Sequence, residues 1–420
     1  MTTPPGLDRP QDVDLVITGS AEIFDAAPRS ATGTRHGAGS IAIDGGRIVA
    51  VGDVSGYHGR ESIDAANGVV IPGLVDAHTH VVFGGSRVAE YAAKVAGVPV
   101  PDGAPAGIVG TMTLTRAAGV EELVTQAGAR IAEMVAHGTT TVESKTGYGL
   151  SIEAEQKLLE VNRILDEQMP ARIVSTYTGG HAFAPGVDHD EYVRAVAAQA
   201  RAAGASGLAQ FNDVYCDEGY FDLTQTRAIL EAGLESGLRP RVHLDAYSHT
   251  GAALLTAELS AASADHLNFT TDAELRSLAD AGVSGVYLPC LEYAVKHLKP
   301  LEPRRVLDAG MTLALATDIC PGCWTTSMQM VIVMACRNGG LSVREALTAA
   351  TFGSAVSLGL SNDIGSIEPG KRADLVVLDV PSHEDIAYRI GRNNARIVIA
   401  GGAVVAVRDA DDAARELLHP

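Results

Sequence analysis

The feature that most restricts the fold is an alternation of apolar, strand-like runs with Ala-rich helical stretches between residues 74 and 317. The pattern repeats about eight times. Strands that alternate with helices lie parallel and are joined by helical crossovers, and eight such units close into a barrel. A doubly wound sheet usually has fewer strands and a Gly-rich phosphate loop after the first one, and the sequence shows neither. We therefore predict an α/β protein with a distorted (β/α)8 TIM barrel.

The two ends of the chain follow a different pattern. Short apolar runs are separated there by Gly-Gly turns at residues 45–46 and 401–402, and this spacing is typical of β-hairpins. The economical arrangement is one small β-sandwich domain built from both ends of the chain. The predicted domains are thus a β-sandwich from residues 1–73 plus 365–420 and a barrel over residues 74–364.

Composition excludes several classes of protein. The chain has 420 residues, of which 46% are hydrophobic, so it can bury a large core. Its 32 basic and 51 acidic residues give a net charge of −19, and no Lys/Arg cluster is present to bind nucleic acid or an anionic membrane. Five cysteines are few and odd in number for a disulfide framework. We expect a reduced, cytoplasmic protein whose partner is a small molecule.

Histidine and aspartate residues recur where the predicted barrel strands end, which is where barrel enzymes keep their chemistry. His78 and His80 are two residues apart, so both side chains face the same way. His243, His266 and Asp318 end later strands. Each alone is more often a buried, hydrogen-bonded histidine or a helix-capping aspartate. Together they are enough for a site of three histidines and a carboxylate, a set that suits a zinc-like divalent ion with one position open to water.

Further short motifs accompany these strand ends. They are residues 72–80 (PGLVDAHTH), 85–87 (GSR), 138–143 (GTTTVE), 146–150 (TGYGL), 263–267 (SADHL) and 316–318 (ATD). With these motifs the chain resembles the amidohydrolase superfamily and, within it, the imidazolonepropionases, over about residues 40–400. The resemblance implies a metal-dependent hydrolase of histidine catabolism that opens a C–N bond of a small, carboxylate-bearing cyclic amide or imidine, with 4-imidazolone-5-propanoate as the first substrate to test.

The resemblance also implies roles for the strand-end residues. His78, His80, His243 and Asp318 match the ligands of one divalent ion per chain, with zinc expected first and iron as the alternative. Asp318 would in addition move a proton between the metal-activated water and the leaving nitrogen, while His266 would stabilise the oxyanion. Members of the family are often homodimers, so a homodimer is expected.

Three residues match substrate-contacting positions of the family: Arg87, Tyr148 and His181. An arginine at a barrel mouth can bind a carboxylate through two parallel hydrogen bonds. The alternative for Arg87 is a surface ion pair with Glu90. Tyr148 stands between two glycines, so its ring is free to reach a ligand, and the alternative is an ordinary turn tyrosine.

The chain differs from the family at positions where the family contacts the substrate ring. The family normally has a glutamate where this chain has Ala246 and an asparagine where it has Cys320. Cys323 replaces a small hydroxyl residue, and Gly322 lies between the two cysteines. Losing polar partners changes substrate discrimination strongly. The alternative function is therefore a paralogue acting on a different heterocycle, as another cyclic amidase or as an aminoheterocycle deaminase.

Several points stay open from the sequence. Asp245 or His249 lies close enough in the chain to replace the missing glutamate. Cys320 and Cys323 form a C-x-x-C motif that is either a redox pair, a second metal site, a reactive thiol or, as we favour, a less polar pocket lining. Lys145 is a candidate for the bridging carbamate of dinuclear relatives. A non-catalytic binding protein on the same scaffold is a third function, and the complete ligand set argues against it.

Overall fold

The described part of the chain begins with the strands of the small domain. The structure is a computed structural model that describes residues 10–27 and 37–408. The strands before the barrel are β1 (Gln11–Ser20), β2 (Glu22–Ile23), β3 (Gly39–Asp44), β4 (Arg47–Gly52), β5 (Tyr57–Asp64) and β6 (Val69–Pro72). β3 and β4 pair antiparallel across the predicted Gly-Gly turn. One sheet of this domain has the strand order β4-β3-β1-β5.

The barrel is an eight-stranded sheet whose strands follow one another in chain order. These strands are β7 (Leu74–Asp76), β8 (Thr139–Lys145), β9 (Arg172–Gly180), β10 (Phe211–Cys216), β11 (Arg239–Leu244), β12 (Ser263–His266), β13 (Ser284–Tyr287) and β14 (Leu313–Leu315). Each neighbouring pair is parallel. The predicted (β/α)8 barrel is confirmed.

Helices connect and surround these strands. They are α1 (Val88–Ala96), α2 (Gly107–Ala117), α3 (Val120–Ala136), α4 (Ile152–Gln168), α5 (His189–Ser206), α6 (Leu223–Leu234), α7 (Ala252–Glu258), α8 (Asp272–Asp280), α9 (Pro289–Val295), α10 (Pro303–Asp308), α11 (Met328–Arg337), α12 (Val343–Thr348) and α13 (Ser354–Ser357), with a π-helical turn at Ala349–Gly353. Asp222, Thr271 and Ser342 start α6, α8 and α12 with reciprocal capping boxes. Among the described residues, no helix is both long and apolar enough to cross a membrane.

Hydrogen bonds between the first and last strand ends join the two edges of the barrel sheet. The backbone N–H of Asp318 donates to the carbonyl of His78 at 3.1 Å, and that of His80 donates to Ile319 at 3.0 Å. The backbone N–H of Thr317 donates to the Asp76 carboxylate at 3.0 Å. This junction holds the predicted ligands of the first and eighth strands side by side.

The chain returns to the small domain after the barrel. Its last elements are β15 (Leu375–Leu378), α14 (Asp385–Tyr388), β16 (Ala395–Ala400) and β17 (Ala403–Val407). They complete a second sheet, ordered β17-β16-β15-β6-β2, that contains strands from both ends of the chain. The core of the domain combines side chains of both sheets: Leu15, Ile17, Ile41, Ile43, Val70, Leu375, Val377 and Ile399. A small domain formed from both termini is confirmed.

Both predicted domain boundaries fall between secondary-structure elements. The predicted boundary between residues 73 and 74 falls between β6 and β7, and the one at residue 365 falls between α13 and β15. The parts of the predicted sandwich at residues 1–9, 28–36 and 409–420 lie outside the described residues. The exact bounds stay a prediction.

Candidate metal centre and active site

Six side chains meet at the carboxyl ends of the barrel strands. Their ligand atoms form three overlapping groups, each with all atoms within 4.8 Å of one another. The groups are His78, His243 and His266; His80, His181 and His243; and His78, His80 and Asp318. The structure thus brings together every predicted metal ligand, the predicted base Asp318 and the predicted oxyanion partner His266.

Two buried carboxylates hold the central histidines in place. The Nδ1 of His78 donates to Asp265 at 2.6 Å, and the Nδ1 of His243 donates to Asp213 at 3.1 Å. Each bond fixes the ring orientation and leaves Nε2 as a free acceptor. A carboxylate behind the far nitrogen of a histidine is the usual arrangement around metal ligands.

The histidine nitrogen atoms that converge at this centre lie very close together. The Nε2 atoms of His80 and His243 are 3.3 Å apart, and the Nε2 of His78 lies 3.8 Å from Asp318 Oδ1. Within the described part of the chain, the Nε2 of His78 is buried and has no hydrogen-bond partner. Buried polar atoms are normally hydrogen-bonded, so an unpaired acceptor aimed at other acceptors indicates a site for a cation.

The electrostatics of the site agree with this interpretation. Burial lowers the pKa of His78 and of His80 well below the usual range, with the neighbouring cationic Lys145 and the other histidines contributing in the same direction. These imidazoles are therefore neutral, which is the form that binds metals. Burial raises the pKa of Asp318 to about 6. Neutral imidazoles and one carboxylate are a donor set that fits zinc or a similar divalent ion.

Two of the converging residues have an unusual backbone conformation. His266 has a φ of 80° and Asp318 a φ of 49°, both in the left-handed region. Non-glycine residues adopt this region at a cost, and they do so often at functional sites. The turn lets each side chain lean over the end of its strand into the centre of the barrel.

A network of buried charges lies beneath the histidines. The Nζ of Lys145 is 2.6 Å from Asp213, 2.9 Å from Glu143 and 3.6 Å from Asp265, and all four side chains are fully buried. Burial alone would lower the pKa of Lys145, but Asp213 and Glu143 outweigh it and the pKa is raised. Lys145 is thus a cation that neutralises the carboxylates behind His78 and His243. An amine used in this way argues against the bridging carbamate.

Arg87 forms the ion pair with Glu90 and still has a guanidinium nitrogen available to bind a carboxylate. Its Nε donates to Glu90 at 2.5 Å, so the ion pair exists. A Cβ on Gly322 would lie 3.8 Å from the Arg87 Nη2, so this nitrogen reaches the turn beside the metal centre. A cavity of about 430 Å³ is lined by Arg87, Gly322, Tyr247 and Lys296 among others. Arg87 therefore keeps Nη2 next to the Gly322 turn while Glu90 fixes its position.

Tyr148 and His181 lie together beside His80. The Tyr148 ring is buried, 5.4 Å from His80 and 5.2 Å from His181. His181 stacks on His80 at 4.6 Å, and its Nδ1 donates to the carbonyl of Gly147 at 2.9 Å. Burial raises the pKa of Tyr148 well above the usual range. Its hydroxyl is thus a permanent donor.

Cys320 and Cys323 face each other across a two-residue turn. Each backbone N–H donates to the other residue's carbonyl, at 3.0 and 3.1 Å. Both thiols are free and buried. Burial raises the pKa of Cys320 to about 12 and that of Cys323 still further, so neither is a reactive thiolate. The geometry supports our preferred interpretation of a less polar wall.

Neither candidate for the missing glutamate faces the ring side. Asp245 is buried, and its oxygens accept from Thr250 at 2.8 and 2.9 Å and from Thr270 at 2.8 Å. His249 is exposed and its Nε2 lies 2.9 Å from Glu274. These groups are fully used in holding the loop after β11. The ring side is left with the methyl group of Ala246.

Comparison with known proteins places this geometry in a family. The sequence model of the Amidohydrolase family matches residues 69–405 of this chain. The chain belongs to the amidohydrolase family. An imidazolonepropionase of Geobacillus kaustophilus is 43% identical over 381 residues, covering 87% of this chain and 90% of that one. One from Halobacterium salinarum is 37% identical over 408 residues, covering 93% and 98%.

Solved amidohydrolase-like structures share the fold at low identity. An adenosine deaminase from Xanthomonas campestris with bound zinc superposes with a TM-score of 0.72 at 20% identity, covering 97% of both chains. A variant atrazine chlorohydrolase from Arthrobacter aurescens with zinc and atraton has a TM-score of 0.71 at 19% identity, covering 96% and 98%. The family and its relatives make this chain a metal-dependent amidohydrolase of the imidazolonepropionase type, which hydrolyses a C–N bond of a cyclic amide.

Proposed function

We propose that the substrate is 4-imidazolone-5-propanoate, whose ring amide is hydrolysed to give N-formimidoyl-glutamate. Water breaks the bond between the carbonyl carbon and the adjacent ring nitrogen. The carbon becomes a carboxylate, and the released nitrogen becomes the terminal nitrogen of the formimidoyl group, which stays on the other ring nitrogen. The observation that carries the proposal is the Arg87 guanidinium at the Gly322 turn, four residues after Asp318, in a chain whose relatives at 37–43% identity are named imidazolonepropionases. An arginine there matches the propanoate tail.

We propose that one divalent ion is held by His78, His80, His243 and Asp318, with zinc expected first and iron as the alternative. The unpaired His78 nitrogen and the closely spaced His80 and His243 nitrogens support this set. Such an ion supplies Lewis-acid activation of water and of the scissile carbonyl.

The chain's own groups divide the remaining work. A carboxylate oxygen of Asp318 accepts the proton of the attacking water and returns it to the leaving ring nitrogen. His266 stabilises the charge that develops on the carbonyl oxygen. Arg87 binds the carboxylate tail, and Tyr148 and His181 orient the ring against the centre.

The alternative of a different heterocycle rested on Ala246 and Cys320. The relatives do not favour it, because their identity extends over about nine-tenths of the chain. We also propose that the protein is a cytoplasmic homodimer, as expected from the sequence; sedimentation analysis of the purified protein tests the dimer.

Steady-state kinetics on a panel of substrates tests the proposed function. The panel contains 4-imidazolone-5-propanoate, hydantoins, lactams and aminoheterocycles. We expect the highest kcat/KM for 4-imidazolone-5-propanoate, with formation of N-formimidoyl-glutamate confirmed by mass spectrometry. A higher kcat/KM for an aminoheterocycle or another cyclic amide would reject the proposed substrate.

Replacing Arg87 by Ala should weaken substrate binding without removing metal. The lost charge-assisted bonds are worth about 1.5–3 kcal/mol, or a fall of about 10- to 150-fold in kcat/KM. We expect the change mainly in KM, measured together with metal content. Arg163→Ala is the control, since its guanidinium forms surface ion pairs with Glu160 and Glu167 on α4. Normal kinetics in Arg87→Ala would show that Arg87 serves only its pair with Glu90.

A further inference from the structure

One side chain at the centre has no role in the mechanism above. Tyr215 lies near the end of β10 and pairs in register with His243 on β11. It is only 6% exposed. Its ring centroid lies 5.6 Å from that of His243, 6.4 Å from His266 and 6.3 Å from His181. The Tyr215 phenol therefore lies among the histidines that converge on the predicted metal centre.

The hydroxyl of Tyr215 has no assigned partner. No hydrogen bond to it is formed by residues 10–27 or 37–408. Its ionisable neighbours are Asp217, Tyr220, Tyr247 and Asp318. Of these, Asp217 already accepts from the backbone of Tyr247 and from the hydroxyl of Ser248. The Tyr215 hydroxyl is also not among the unpaired atoms that are fully enclosed by protein, so it remains accessible and free to donate to a ligand at this end of the barrel.

The walls around Tyr215 provide little else that can donate to a ring. Ala246 offers a methyl group, and the carboxylate of Asp245 is held by Thr250 and Thr270. The Cys320 thiol lies beside the hydroxyl of Tyr148. A cyclic amide has a polar edge of carbonyl oxygen and ring nitrogen, and leaving that edge unpaired in a buried site is costly.

We propose that the Tyr215 hydroxyl donates a hydrogen bond to the polar edge of the substrate ring. The inference rests on the proposed function in requiring a cyclic amide or imidine substrate. It assigns to Tyr215 the hydrogen bond to the substrate ring that the Ala246 methyl group and the Cys320 thiol do not provide. The ligand class is an oxo-substituted nitrogen heterocycle, with the oxo group as the acceptor.

Tyr215 is better placed for this role than the neighbouring Tyr247. Tyr247 is 57% exposed and its ring contacts His297 at 5.0 Å. Tyr215 is fixed by the ring of Tyr220 at 4.1 Å and by the histidines. A group already fixed by packing loses little freedom when it binds, which makes its hydrogen bond more effective.

Tyr215→Phe is the direct test, because it removes only the hydroxyl and keeps the ring. We expect kcat/KM to fall by about 10- to 100-fold, as for loss of a donor to a charge that develops during reaction. Metal content and the midpoint of thermal unfolding should be unchanged, since the hydroxyl has no partner in the protein. Tyr220→Phe is the matched control and should leave kcat/KM unchanged.

Equilibrium binding distinguishes a lost hydrogen bond to the ligand ring from a structural effect of the substitution. Hydantoin-5-propanoate carries ring oxo groups, whereas imidazole-4-propanoate has the same tail and no oxo group. Tyr215→Phe should weaken binding of the first by about tenfold and leave binding of the second unchanged. Equal effects on both ligands, or no effect on either, would overturn the assignment, as would the same selective loss in Tyr247→Phe.

The proposed substrate is tested separately from Tyr215. The kinetic comparison of native protein and Tyr215→Phe is made on whichever cyclic amide of the panel the native protein hydrolyses fastest. If that compound is not 4-imidazolone-5-propanoate, the proposed substrate is rejected while the ratio between variant and native protein still reports on Tyr215. A ratio near one on that compound rejects the role of Tyr215 alone.

Discussion

Asp318→Asn should lower kcat by about 10²- to 10⁴-fold, the usual contribution of a positioned general base. Asparagine keeps the size and shape of the side chain but cannot accept and return a proton. Asp318 is 5% exposed, and its backbone N–H donates to the carbonyl of His78, so the replacement should stay in place. The measurement is kcat at saturating substrate, corrected for the metal content of each preparation.

A surface aspartate provides the control for this change. Asp308 ends α10 and is exposed, so Asp308→Asn should have native kcat. If Asp318→Asn with native metal content kept more than a tenth of the native kcat, another group would have to move the proton.

Lys145→Met should reduce the free energy of unfolding by about 3–5 kcal/mol, because removing one partner of a buried ion pair leaves the other charges uncompensated. The Lys145 ammonium is within 2.9 Å of both Asp213 and Glu143, and none of these side chains is exposed to solvent. Chemical denaturation of native and variant protein measures the difference. The variant should also bind zinc more weakly, since Asp213 holds His243.

Lys94→Met separates this effect from the loss of any lysine. Lys94 forms an ion pair with Glu90 at 2.7 Å, but its side chain is 66% exposed. An exposed pair contributes about 1 kcal/mol or less. A loss in Lys145→Met no greater than that in Lys94→Met would contradict a supporting role for the buried network.

The barrel could be predicted because its strands and helices differ sharply in residue pattern. α3 and β9, for example, fit the predicted alternation of Ala-rich helical stretches and apolar runs. A simple alternation of one strand with one helix does not describe α1 and α2, which precede α3 in the connection between β7 and β8. α2 contains two glycines and several β-branched residues, which are poor helix formers. Tertiary contacts overcome this propensity: Arg116 of α2 donates to the carbonyls of Gly149 and Leu150 at 2.6 Å.

Site residues that end a strand could be predicted from the sequence. The residues that hold those side chains in position could not. His78, His243 and Asp318 lie at strand ends, so their side chains meet by topology alone. Asp213 and Asp265, which orient two of the histidines, were missed. The available signal was a charged residue at an inward-facing position of a buried strand, because such a charge needs a partner.

Side-chain direction in the loop after β11 could not be read from the sequence. Asp245 and His249 are near Ala246 in the chain, which made both candidates for its missing function. Their directions depend on Thr270 and Glu274, which come from a different part of the chain. Only the folded structure shows that these hydrogen bonds turn both groups away from the site.

Titration of metal-depleted protein with zinc tests the central claim most directly. Hydrolysis of 4-imidazolone-5-propanoate is measured after each addition, and bound metal is determined on the same samples. We predict no activity without metal, a linear rise on addition, and a plateau at one zinc ion per chain. Full activity in protein shown to contain no metal, or a plateau at two ions per chain, would contradict a single ion held by His78, His80, His243 and Asp318.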